Sequence, residues 1–135
     1  MKKLKKFIPF RKKHPQVAVI KLAGVIAASS SLRKGLNLQS IETHLHDAFS
    51  NKRTTAVALV VNSPGGSPVQ SDLIQKRVRD LGQEFKKPIF VFCEDVAASG
   101  GYWIALAGDE IYANASSIIG SIGVVSAGFG FKEAI

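Results

Sequence analysis

The 135-residue sequence has one cysteine, no histidine after position 46, and no apolar run approaching the roughly twenty residues that a membrane-spanning helix needs. Each scarcity removes a class of protein. A lone thiol, Cys93, forms no internal disulfide and fits a reducing compartment. Inside "PIFVFC" it reads as a small buried hydrophobe, not as a nucleophile. His14, His44 and His46 show no metal-ligand spacing with other donors, and His44 and His46, two residues apart, do not share a helix face. The apolar stretch near the start, "FIPF", is shorter than the roughly 7–15 residues of a signal-peptide core.

Basic charge is plentiful but local. The formal net charge is +8. Residues 1–13, "MKKLKKFIPFRKK", hold seven Lys and Arg and no acid, whereas residues 14–135 hold eleven basic and ten acidic side chains. The excess therefore belongs to a tail. The body shows no basic face interleaved with aromatics, so nucleic acid is not an expected partner. The tail has two readings: a solvated arm, or a peripheral anchor. In the second, residues 2–13 meet anionic lipid through Lys and Arg while Phe7, Ile8 and Phe10 enter the interface.

With 46% apolar residues, positions 14–135 can build one folded domain. "QVAVIKLAGVI" (16–26) reads as a buried strand, with Lys21 at an edge or snorkelling. "AASSSLRKG" (27–35) is a loop. Leu38, Ile41, Leu45, Ala48 and Phe49 recur at helical spacing, which predicts a helix near 37–50. "AVALVV" (56–61) is a continuous apolar run, expected as a strand covered on both faces. Ser67 followed by Pro68 makes an N-cap and first turn. The helix it starts should run to about Phe85, with Val69, Leu73, Ile74, Val78 and Leu81 on its apolar face and Asp72–Lys76 as an i,i+4 pair. "KPIFVFC" (87–93) is a third strand, "SGGYWIALAG" a helix stopping at Gly108, and "DEIYA" (109–113) a fourth strand. A loop and strand follow in 116–125, then the start of another helix. Strands alternating with helices give an α/β class with mainly parallel strands.

Ligands collect at the carboxyl ends of such strands. Two glycine-rich breaks lie there, "NSPGG" after the second strand and "AASGG" after the third. Acyl transfer needs a nucleophile and donors aimed at a developing oxyanion. Consecutive glycines expose backbone N–H groups with no Cβ in the way. The loops can supply the Ser99 hydroxyl, the N–H of Ser99 or Gly100, and a second N–H from Gly65 or Gly66. Each loop also has a plain reading. "NSPGG" is an ordinary type II turn with Pro64 and Gly65 at its centre, and "SGG" an ordinary helix start.

"VALVVNSPGGSPVQSDLI", "EDVAASGGYWIALAGDEIYANASSIIGSIGV" and "VAVIKLAGVI" together closely resemble the bacterial signal peptide peptidase family, the serine peptidases of the SppA and SohB type. The likeness covers about residues 17–135. It implies a ClpP/crotonase-like fold, a superhelix of β-β-α units, and a serine–lysine dyad that cuts peptides, including remnant signal peptides. By this resemblance Ser99 matches the nucleophile, Gly65 and Gly66 the oxyanion loop, and Ser121, in "GSIG", the serine that hydrogen-bonds the catalytic lysine. No metal or organic cofactor is implied. Homo-oligomers are, since family members assemble into rings. Many members carry a membrane anchor, and none is evident here, so the expected location is the cytoplasm or the inner face of the membrane.

A serine needs a base to accept its proton. All three histidines precede Ser99, which argues against a triad with histidine after serine. The family's lysine falls beyond this sequence. Lys132, the only lysine among the 36 residues after Ser99, lies in "GFGFKEAI" and reads as a solvated helix residue. Lys21, Lys76, Lys86 and Lys87 occupy no obvious buried site that would keep an amine neutral. The expectation is thus the N-terminal portion of a longer peptidase, with apolar surface left uncovered. Two other functions compete: a crotonase-type acyl-CoA enzyme, which would not require Ser99, and a non-catalytic scaffold.

Overall fold

The computed structural model describes residues 14–28 and 35–124. The basic segment 1–13, part of the first loop, the expected helix after 125 and Lys132 lie outside the described residues. Among the described residues, β1 (Gln16–Ala23), β2 (Thr54–Ser63), β3 (Ile89–Ala98) and β4 (Glu110–Ala113) alternate with α1 (Leu38–Ser50), α2 (Pro68–Phe85) and α3 (Gly100–Ala105), and a fifth strand, β5 (Ile118–Gly120), follows β4 directly. Every strand pair is parallel, in the order β1-β2-β3-β4, with β5 pairing the far half of β3. Parallel neighbours require crossovers, and α1 and α2 supply the first two.

The helices start where local chemistry dictates. Asn37 caps α1 by accepting the Ser40 N–H at 3.0 Å, and the Ser40 hydroxyl answers the Asn37 backbone. Ser67 caps α2, with Pro68 in its first turn. The stripes these helices present, Ile41, Leu45 and Phe49 on α1 and Ile74, Val78 and Leu81 on α2, pack with Leu22, Val57, Leu59, Val61, Ile89 and Val91 of the sheet. Burying one such side chain contributes about 1.5–3 kcal/mol, and truncating Phe49 to Ala would cost about 3–5 kcal/mol. An Arg77–Glu42 pair, closing at 2.6 Å, ties α2 to α1 at the surface.

Three expectations need correction. The first strand is not buried throughout: Ile20 and Leu22 are, but Val17 and Val19 are 56% and 66% exposed. β1 is an edge strand, and among the described residues nothing packs over its second face. That bare face continues through Phe92 and Tyr112, whose rings stack at 5.1 Å. Lys21 lies at this edge and pairs with Glu94 at 3.0 Å. Second, the third strand does not stop at Cys93 but runs to Ala98. Glu94 and Asp95 end the apolar run without ending the pairing. The β2–β3 register shifts from Val61↔Cys93 to Ser63↔Ala97, a bulge, and β5 then pairs with Val96–Ala98. Third, the last strand is confined to Ile118–Gly120.

Candidate active site

The bulge and the β5 pairing carry β3 forward so that Ala98 ends beside the loop after β2. In that loop Gly65 has φ +99° and Gly66 φ +147°, and no turn is closed at Pro64–Gly65: the Gly66 N–H makes no bond to Ser63 O. The loop is stitched to the chain after β1. Ile26 N–H donates to Gly65 O at 2.9 Å and Ser67 N–H donates to Ile26 O at 2.8 Å. A Cβ on Gly66 would sit 2.0 Å from Ile26 O, so only glycine fits.

Ser99 joins β3 to α3 with φ 52° and ψ −120°. This region is sparsely populated for a residue with a side chain and costs about 1–3 kcal/mol. Ser99 is held there from both sides. Its N–H donates to Gly120 O at 2.7 Å, and its carbonyl accepts the Trp103 N–H at 3.0 Å. Although Ser99 stands at the N-cap position of α3, its hydroxyl makes no capping bond. The two loops touch: a Cβ on Gly65 would lie 2.8 Å from Ser99 Cβ and 2.8 Å from the Gly100 nitrogen.

Ser99, Gly100 and Gly66 line a cleft of about 520 Å³, walled by Val69, Leu73, Trp103 and Ile122. Of the four N–H groups that sequence offered, two are committed. Gly65 donates to Ser63 Oγ at 3.1 Å and Ser99 to Gly120 O. Gly66 and Gly100 have no internal acceptor among the described residues. Gly100 opens α3, where the first N–H groups are left over by helix geometry. With six residues α3 has little macrodipole, so the free N–H itself is what it offers. Gly65, expected in the oxyanion loop, thus has its N–H taken up by Ser63, and of the pair only the Gly66 N–H is without an acceptor among the described residues.

Ser121 follows Gly120, which pairs with Ala98, so its backbone stands beside that of Ser99 across the β3–β5 ladder. It is exposed and has φ 53°. Among the described residues, none of the side chains lining the cleft is lysine or histidine, and the one acid among them, Asp72, pairs with Lys76 at 2.7 Å. Cys93 is buried away from the cleft, and desolvation pushes its thiol pKa up, which keeps it protonated and inert.

Sequence reasoning placed Val69 and Leu73 on the buried face of α2. They are 66% and 40% exposed and form the cleft wall. The buried stripe is Ser71, Ile74, Val78 and Leu81, a spacing of three, four and three that was available in the letters. Ser71 escaped notice because it is polar; its hydroxyl donates to Ser67 O at 2.8 Å. Ser63, Ile26 and Trp103 were missed because their places depend on pairings distant in sequence.

Comparison with known proteins bears on the family and the fold. Residues 82–135 match the model of peptidase family S49. A Brucella melitensis protein named Na(+)/H(+) antiporter NhaA is 57% identical over 133 residues, covering 96% of this chain and 18% of that protein. A putative signal peptide peptidase SppA of Enterococcus faecium is 36% identical over 120 residues, covering 84% and 35%. The chain thus spans well under half the length of these relatives. The antiporter name attaches to a protein most of which lies outside the alignment. No helix among the described residues is long and apolar enough to cross a membrane. A solved structure of the 1510-N membrane-bound stomatin-specific protease, as a serine-to-alanine mutant, superposes with a TM-score of 0.62 at 21% identity, covering 86% of this chain and 54% of that one. It shares the ClpP/crotonase-like fold. Residues 82–135 thus carry a match to peptidase family S49, and the chain is similar along most of its length to signal peptide peptidases of the SppA type.

Proposed function

We propose that Ser99 is the nucleophile of a serine peptidase and that Gly66 and Gly100 N–H groups are its oxyanion donors. One observation carries the reading: a strained serine with no capping bond opens on a cleft beside two N–H groups without internal acceptors. A neutral lysine, supplied from outside the described residues and oriented by Ser121, takes the Ser99 proton. Ser99 Oγ attacks the peptide carbonyl carbon, and the two N–H groups hold the oxyanion. The lysine ammonium returns its proton to the leaving amine as the C–N bond breaks. Water, deprotonated by the same lysine, attacks the ester, and the acid leaves with Ser99 restored.

The substrates are peptides, remnant signal peptides among them, and the apolar cleft walls suit apolar side chains. The bare sheet face supports a homo-oligomer, since a parallel sheet is stable when both faces are covered. The basic segment, residues 2–13, makes the peripheral membrane contact, on the cytoplasmic side. A fluorophosphonate probe tests the chemistry. Labelling that disappears in Ser99→Ala supports it. Absence of labelling both in this chain and in a longer form carrying the family's lysine segment would overturn it.

A further inference from the structure

We infer that Ser63, the last residue of β2, is a positioning residue for this site, a claim that rests on the assignment of Ser99 and Gly66 above. Ser63 is fully buried, yet its hydroxyl is engaged twice. It donates to Gly24 O at 2.7 Å and accepts the Gly65 N–H at 3.1 Å. Gly24 N–H donates in turn to Asn62 O at 3.0 Å. One hydroxyl therefore joins the end of β1, the end of β2 and the glycine loop.

Two consequences follow for the chemistry. The hydroxyl occupies the Gly65 N–H and fixes the Pro64–Gly65 peptide, next to the one that carries the Gly66 N–H, so that of two adjacent amides only the second is left for a substrate oxygen. Ser63 also lies under the other loop: a Cβ on Gly101 would meet Ser63 O at 2.5 Å and Ser63 Cβ at 3.1 Å. The residue two after the nucleophile thus rests on the residue two before Gly65. The spacing between the two N–H groups that hold an oxyanion is set through this contact. A buried hydroxyl with both functions satisfied is a rigid element. Removing it leaves Gly24 O and Gly65 N–H unpaired.

The test uses the ¹⁵N-labelled full chain and its Ser63→Ala and Ser63→Thr variants. In Ser63→Ala the Gly65 amide proton should move upfield and exchange at least about tenfold faster, with the Gly66 resonance moving as well. Fluorophosphonate labelling of Ser99 should slow by about tenfold, less than the ~10²–10³ lost when an oxyanion donor is removed outright. Binding of an unreactive peptide should be unchanged. Ser63→Thr, which keeps the hydroxyl, should restore both the amide signals and the rate. The inference is overturned if the Gly65 amide is unaffected in Ser63→Ala, if labelling keeps its wild-type rate, or if Ser63→Thr is as impaired as Ser63→Ala. Should Ser63→Ala not fold, Ser63→Cys, which puts a weaker donor and acceptor on a somewhat larger atom at the same place, takes its place in every measurement. A wild-type chain that is not labelled, with or without the lysine segment, defeats the peptidase reading alone, and the amide signals still decide the role of Ser63.

Discussion

Ser67 and Ser99 hold the same address in two loops of one sheet. Each follows a parallel strand, stands at the N-cap of the next helix and has glycines for neighbours. Their conformations differ. Ser67 has φ −57° and its hydroxyl accepts the Gln70 N–H, so it does what a capping serine ordinarily does. Ser99 has φ 52° and makes no capping bond. Its helix is six residues long, against eighteen for the helix that Ser67 caps. In the first loop the serine stabilises a helix; in the second the fold tolerates strain and an unspent hydroxyl. Such departures from local preference concentrate at functional sites. A serine–glycine pair between strand and helix therefore does not identify a nucleophile by itself. The missing bond is what distinguishes the two serines.

The largest expected difference between the loops is chemical. In a form of the protein that reacts with fluorophosphonate, Ser99→Ala should reduce the labelling rate by more than about 10³-fold. Ser67→Ala should change it less than tenfold. Mass spectrometry of the labelled chain reads both. Equal losses would mean that the two serines are not distinguished by their geometry, and the contrast would fail.

The next difference is steric. Gly66→Ala drives a Cβ into Ile26 O and places alanine at a positive φ, so it should destabilise by more than about 3 kcal/mol and melt the loop first. Gly123, with nothing within 4 Å of its absent Cβ, supplies the control, and Gly123→Ala should stay within about 0.5 kcal/mol in the same denaturant titration.

Much of this was legible in the letters because it is local. The α1 period, the Ser67–Pro68 cap and the apolar run of β2 follow from near neighbours, and the structure has each where spacing put it. The family likeness, carried by the motifs in order, gave the fold and the nucleophile candidate. What could not be read depends on contacts between distant segments. β3 outlasts its apolar run because β5 pairs with Val96–Ala98. Gly65 loses its N–H to Ser63, and Ser99 loses its own to Gly120, so the choice among four amides was invisible until strands were paired. β1 looked buried because a run of Val, Ile and Leu does not say whether both faces of its sheet are covered.

A third prediction concerns stability alone. Ser67→Ala removes the acceptor of the Gln70 N–H and should cost about 1 kcal/mol, measured as a shift in denaturation midpoint at constant slope. Ser99→Ala removes no capping bond. It keeps a Cβ at the same positive φ, and should leave the midpoint nearly unchanged. A loss at Ser99 comparable to that at Ser67 would show that the hydroxyl has a structural partner.

The smallest effect is the most discriminating, because its sign reverses between the loops. Glycine at position 67 is a tolerated cap, so Ser67→Gly should be destabilising by a few tenths of a kcal/mol. Glycine at position 99 relieves a conformation that costs a serine about 1–3 kcal/mol, offset by roughly 0.5–1 kcal/mol for the extra freedom of the unfolded chain. Ser99→Gly should therefore stabilise the protein by about 1 kcal/mol or somewhat less while abolishing labelling. Gain of stability with loss of reaction at one position, and neither at the other, is what a strained nucleophile beside an ordinary cap requires. If Ser99→Gly destabilises, the strain at φ 52° is compensated by bonds of the Ser99 side chain, and the hydroxyl is not free to attack.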